Sequence, residues 1–251
     1  MNIELLFLGR VPFGDCLQRM ENLHRDIVAG IQQPVILVLE HFPVVTMGQR
    51  KLHDDLLFHP AQGNFAGFDY FEIDRGGSAT AHELGQLVVY PLLPISLFQS
   101  SVRRYVHFLE DLVIDTCAHY GLNVHRSDEN PGVWSGRSKI AAVGVRVKDK
   151  VTKHGLAFNI ANSLNVFASI VPCGLRAAGV TTLEREIRQL QPESAASGRL
   201  NFSSFAANSV AESESVDDRF FEDVRAVFIN ELERKSRDYF SSPVTFTHRK
   251  S

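Results

Sequence analysis

Residues 138–160 read SKIAAVGVRVKDKVTKHGLAFNI, and this stretch decides the fold class. From Lys139 to Val147, Ile140, Ala142, Gly144 and Arg146 alternate with Ala141, Val143, Val145 and Val147. That is the period of a strand. Asp149 and Lys150 supply a turn, and Val151 to Ile160 returns as the partner strand of a hairpin.

Outward from the hairpin, strands and helices mix without strict βαβ order. Phe13 to Ala29 is predicted to be a helix capped by Asp15, with Cys16, Met20, Leu23 and Ile27 on one face. Val35 to Leu39 and Val44 to Met47 read as short buried strands. Phe71 to Asp74 and Leu87 to Tyr90 read as strands flanking a loop, Arg75 to Gln86. Ser101 to Tyr120 has the clearest helical stripe, through Phe108, Leu109, Leu112, Val113, Thr116 and Cys117, and Gly121 stops it. Pro192 to Ser215, rich in Ser, Ala and Asn, reads as a linker, and Asp217 to Phe240 as an amphipathic helix. The expectation is an α+β fold, a mixed β-sheet core flanked by helices. Residues 1–190 would be the catalytic domain, with 191–251 a linker and helix packed on it.

Bulk composition narrows the function. A chain of 251 residues with 44% hydrophobic and 22% charged residues is ordinary for a globular protein. A net charge of −3 gives no basic footprint for nucleic acid. The start, Met1-Asn2-Ile3-Glu4, has no signal-peptide pattern, and no apolar run is long enough for a membrane span. Three cysteines argue against a disulfide framework. A cytoplasmic monomer without membrane contact is the expectation.

Three segments could carry chemistry. In Val171-Pro172-Cys173-Gly174, proline and glycine would present the thiol on a tight turn. Cys16 and Cys117, on apolar helix faces, read instead as core residues. Lys139 opens a strand of small and apolar residues, so it either begins that strand at the surface or ends half-buried as a usable base that favours a nearby thiolate. Arg75-Gly76-Gly77-Ser78-Ala79-Thr80-Ala81-His82 could bring backbone N–H groups, Arg75 and His82 to a carbonyl or anion, or be only a turn. It has neither Walker nor dinucleotide spacing. His53, His59, His107 and His119 lack metal-ligand spacing, so neither a metal nor another cofactor is expected.

Together these segments resemble the octanoyltransferases of lipoate biosynthesis, in the biotin/lipoate protein ligase superfamily. The resemblance runs from about residue 10 to about 185. It rests on Arg75-Gly76-Gly77 to His82 with Gly85-Gln86 and Tyr90-Pro91, on Pro131-Gly132-Val133-Trp134, and on Lys139 to Arg146. His154-Gly155-Leu156-Ala157-Phe158-Asn159, Ile170 to Gly174 and Gly179 to Leu183 complete it. It implies a Cys173/Lys139 dyad. Cys173 would take an octanoyl (or lipoyl) group from acyl carrier protein as a thioester. It would pass the group to a lysine of the lipoyl domains of 2-oxoacid dehydrogenases or of glycine cleavage H protein, without ATP. By the same resemblance Arg75, Gly76, Gly77, Ser78, Ala79, Thr80, Ala81 and His82, with Ala142, Val143, Gly144, Gly155, Leu156 and Ala157, line the acyl site. N–H groups near Gly174 or Gly76-Gly77 would hold the oxyanion. The family usually has Tyr, Gly and Pro where this chain has Ala81, Glu83 and Leu84. That departure motivates one alternative, a non-catalytic or altered paralogue that binds acyl chains or lipoyl domains. A second alternative is an ATP-dependent ligase on the same fold.

Overall fold

The computed structural model describes residues 1–50, 55–57, 68–127, 130–171, 179–190 and 216–250. Most strands form one mixed sheet. Its order is β12-β1-β2-β6-β10-β9-β8-β7, with the short β11 beside β9. These are β1 (Asn2–Val11), β2 (Val35–His41), β6 (Gln86–Leu92), β7 (His125–Arg126), β8 (Gly132–Ser135), β9 (Ser138–Lys148), β10 (Val151–Asn159), β11 (Gly179–Val180) and β12 (Thr245–Lys250). A smaller sheet has the order β4-β3-β5, from β4 (Asp69–Glu72), β3 (Val44–Met47) and β5 (Ala79–His82). The α+β expectation matches this architecture.

β2 and β6 are buried along their whole length, as their continuous apolar runs require. One face is covered by α1 (Phe13–Val28), whose Cys16, Met20 and Ile27 pack on Leu37, Leu39 and Val88. The other is covered by α2 (Val102–His119) and α4 (Val216–Tyr239), through Phe108, Leu112, Phe221, Val224 and Phe228. Each such side chain taken fully out of water contributes about 1.5–3 kcal/mol. α3 (Leu183–Leu190) is pinned by Leu183 and Ile187. Among the described residues no helix is long and apolar enough to cross a membrane.

The hairpin closes at Asp149 and Lys150, both with positive φ, 49° and 64°. Two such central residues make the tight turn whose twist suits antiparallel strands. Four expectations need correction. Asp15 does not cap α1: the helix begins at Phe13 after Pro12, no side chain caps it, and Asp15 sits in its first turn. There its carboxylate still faces the positive end of the helix dipole. The helix also ends one residue early, at Val28. The first strand of the loop region is Asp69–Glu72 rather than Phe71 to Asp74. Within Arg75 to Gln86, Ala79–His82 is a strand, antiparallel to β3, because Val44–Met47 offers it a partner. The Pro192 to Ser215 segment lies outside the described residues.

Candidate active site

β9 and β10 carry the floor of a cavity of about 170 Å³. Gly144 and Gly155 face each other across this strand pair. A Cβ on Gly144 would press on Arg75 Cδ and Gly76 O at 3.1 Å, and one on Gly155 would lie 2.1 Å from Val89 O. Glycine at 144 therefore lets the Arg75–Ser78 turn lie directly on β9, and glycine at 155 lets the backbone of β6 come close to β10.

Of the candidate residues, Arg75, Gly76, Gly77, Ser78, Ala79, Thr80 and His82 line this cavity. So do Lys139, Ala142, Val143, Gly144, Gly155, Leu156 and Ala157. Ala81 is not among the lining residues; it is fully buried in the core of the small sheet with Val45 and Met47. Cys173 lies outside the described residues, as do His53 and His59.

Lys139 is 5% exposed. Its Nζ donates to Pro131 O at 3.2 Å and sits 4.8 Å from the centre of the Trp134 ring. β8 can approach this closely because its Gly132 has φ +130°; a Cβ there would meet Ala141 O at 2.4 Å. The buried carboxylate of Glu110 on α2 accepts from Gly132 N at 2.9 Å and fixes that strand from behind. On the other side β11 runs parallel to β9, pairing Gly179 with Ser138 and Val180 with Lys139. Chain that follows Cys173 thus returns directly against Lys139.

Arg75 is committed to the protein itself. Its Nη2 donates to Thr46 O at 2.7 Å and its Nη1 to Gly76 O at 2.9 Å. The N–H of Gly76 donates to Val145 O at 3.0 Å, so it is not free to hold an oxyanion. Glu83 turns away from the cavity. Its carboxylate accepts from Asn162 Nδ2 at 3.1 Å and Ser163 Oγ at 2.8 Å, and φ is positive at Gly85 rather than at Glu83. The departure from the family pattern is absorbed by a buried hydrogen-bonded link, while Leu84 is exposed.

Reading segments singly leaves Asp74, Tyr90, Trp134 and His154 without roles, although the resemblance strings contain three of them. Asp74 Oδ1 accepts from His154 Nε2 at 2.8 Å, and Asp74 also pairs with the buried Lys153 at 3.1 Å. His154 hydrogen bonding first, with Lys153 also contributing, holds the Asp74 carboxyl well below the ordinary carboxylate range. His154 takes φ +57° inside a strand, a conformation that costs about 1–3 kcal/mol for a non-glycine residue and gathers at functional sites.

Burial pushes His41 down to about 4 and His82 down to about 3. Both are neutral in the folded chain at pH 7, whereas in the unfolded chain each takes a proton below about 6.5. A lowered folded-state value means their contribution is complete above pH 6.5 and is lost as pH falls toward 4. Each histidine should remove about 1.4 kcal/mol of stability per pH unit across that window. Urea unfolding at pH 7, 6 and 5 should show a decline of at least this size with at least two protons taken up, because burial lowers His154 as well. A flat profile would count against neutral burial. Asp74 acts only below the unfolded carboxylate range, outside the window.

Residues 13–198 match the family described as "Lipoyl protein ligase A/B catalytic domain". The chain belongs to that family. Curated relatives in it are octanoyltransferases. That of Caldicellulosiruptor saccharolyticus is 36% identical over 187 residues, covering 74% of this chain and 80% of the relative. That of Clavibacter sepedonicus is 41% identical over 191 residues, covering 72% and 78%. Among solved structures, lipoate-protein ligase A bound with ATP superposes with a TM-score of 0.65 at 14% identity, covering 100% of this chain and 90% of that one. A putative lipoate protein ligase from T. acidophilum gives 0.62, also at 14%, with 100% and 89% covered. At that identity the likeness shows the fold, and it is the lipoyl ligase fold that the sequence resemblance implied.

Proposed function

We propose that this protein transfers an octanoyl group from acyl carrier protein to a lysine of lipoyl domains through a thioester on Cys173. Octanoyl transfer is supported by the octanoyltransferase relatives, and the thioester route, the carrier and the residue roles extend it. The observation that carries it is Lys139: a buried amine lining a cavity floored by Ala142, Gly144 and Ala157 and paired with the strand that follows Cys173.

Lys139 would take the Cys173 proton, the thiolate would attack the thioester carbonyl, and the carrier sulfur would leave with that proton returned by Lys139, which is then ready to act again. The acceptor amine would then attack the acyl-enzyme, expel the thiolate and pass its proton to Lys139. Thioester exchange is nearly isoenergetic and amide formation runs downhill, so the sequence needs no ATP. Acceptors would be lipoyl domains of 2-oxoacid dehydrogenases and glycine cleavage H protein.

The test is intact mass spectrometry after incubation with octanoyl-acyl carrier protein. An octanoyl adduct that hydroxylamine removes is expected. An unmodified wild-type chain would sink the transferase reading.

A further inference from the structure

Three polar side chains of the cavity wall have their hydrogens committed elsewhere. Gln86 Nε2 donates to the backbone oxygen of Ala81 at 3.2 Å, so Gln86 Oε1 is the atom facing His82 Nδ1 at 2.8 Å. Nδ1 of His82 must carry the proton, and Nε2 keeps a lone pair. His41 Nδ1 donates to Val11 O at 3.0 Å, so its Nε2 accepts, and the Tyr90 hydroxyl 3.1 Å away must donate to it. His154 spends its Nε2–H on Asp74, leaving Nδ1 as an acceptor. His82, Tyr90 and His154 all line the cavity.

We infer that this wall is an acceptor-only site that recognises an N–H group of the substrate. The inference rests on the octanoyl-transfer reading for which substrates enter. The octanoyl chain has no hydrogen to give, so it leaves the three lone pairs unmet. Two parts of the substrates do carry N–H: the acceptor lysine's amine and the amides of the carrier's thioester arm. Burial holds both imidazoles in the neutral form, as it does the Tyr90 phenol. Arg75, Lys153 and His41 oppose protonation of these rings, and Asp74 favours it at His154 alone. The wall is too weakly basic to take a proton at neutral pH; it orients the N–H and leaves proton removal to another group.

Binding tests this without turnover. By calorimetry, octanamide should bind wild type about tenfold more tightly than methyl octanoate, a chain of like size without N–H. The ratio should collapse toward one in Tyr90→Phe and in His82→Phe, where the new ring keeps the stack on Phe13. Equal binding of the two ligands by wild type overturns the inference. So does a ratio preserved in both variants once thermal melts show them folded. Kinetics then separate the two sources. Slow loading from octanoyl-coenzyme A with normal loading from an amide-free octanoyl thioester assigns the N–H to the carrier arm. Slow discharge of loaded variant onto a lipoyl domain assigns it to the lysine. If neither step slows, the inference fails. A wild type that forms no adduct yet keeps the amide preference overturns octanoyl transfer and not the wall.

Discussion

Replacing Cys173 by serine is expected to remove the hydroxylamine-labile octanoyl adduct and to lower octanoyl transfer by about a thousandfold or more. A hydroxyl is far less acidic than a thiol and lacks its ready thiolate at neutral pH. The readout is clean because the other two cysteines are poor competitors. Cys16 and Cys117 are 2% and 0% exposed, and burial pushes Cys16 up to about 12 and Cys117 further. A labile adduct on the serine variant would move the nucleophile away from residue 173. ATP-dependent use of free octanoate by Cys173→Ala would instead make the protein a ligase.

Lys139→Ala and Lys139→Arg should each slow transfer by about 10²–10⁴, the usual range for removing a positioned base. The arginine variant is the sharper of the two. It keeps a cation over Trp134 and a donor for Pro131 O, two of the contacts that seat the amine. It cannot lose its proton at neutral pH. If Lys139→Arg turns over near the wild-type rate, Lys139 acts through charge alone and not as a base. Raising the assay pH should partly restore loading of Lys139→Ala, because solvent then forms the thiolate. A loading rate indifferent to pH would argue that Lys139 has no part in thiolate formation.

What the sequence made legible was local. The alternation of residues 138–160 and its two-residue turn appear as β9 and β10 because strand period and hairpin turn are written within a few neighbours. The stripe on α2 likewise names its own buried face. Elements defined by distant partners were not legible. β12 is a polar segment whose strand character comes from parallel pairing with β1, from Asn2 opposite Thr245 onward. Ala79–His82 carries no strong strand preference and is extended because β3 pairs with it. In the site, the motif strings pointed to the cavity-lining residues, but not to what their side chains bond. The Asp74–His154 contact spans 80 residues and the Glu83–Ser163 contact also 80. No local spacing encodes either one, so Glu83 looked like a disturbance of the site when it is a tie beneath it.

α4 and β12 lie beyond the part of the chain shared with the family, whose match ends at residue 198. Yet Phe220, Val224, Phe228 and Leu232 sit in the same core as the buried face of α2, and β12 continues the main sheet past β1. Kinship and cohesion therefore have different borders in this chain. A fragment cut to the ancestral outline would keep the residues by which relatives are recognised while uncovering the oily flank they rest on.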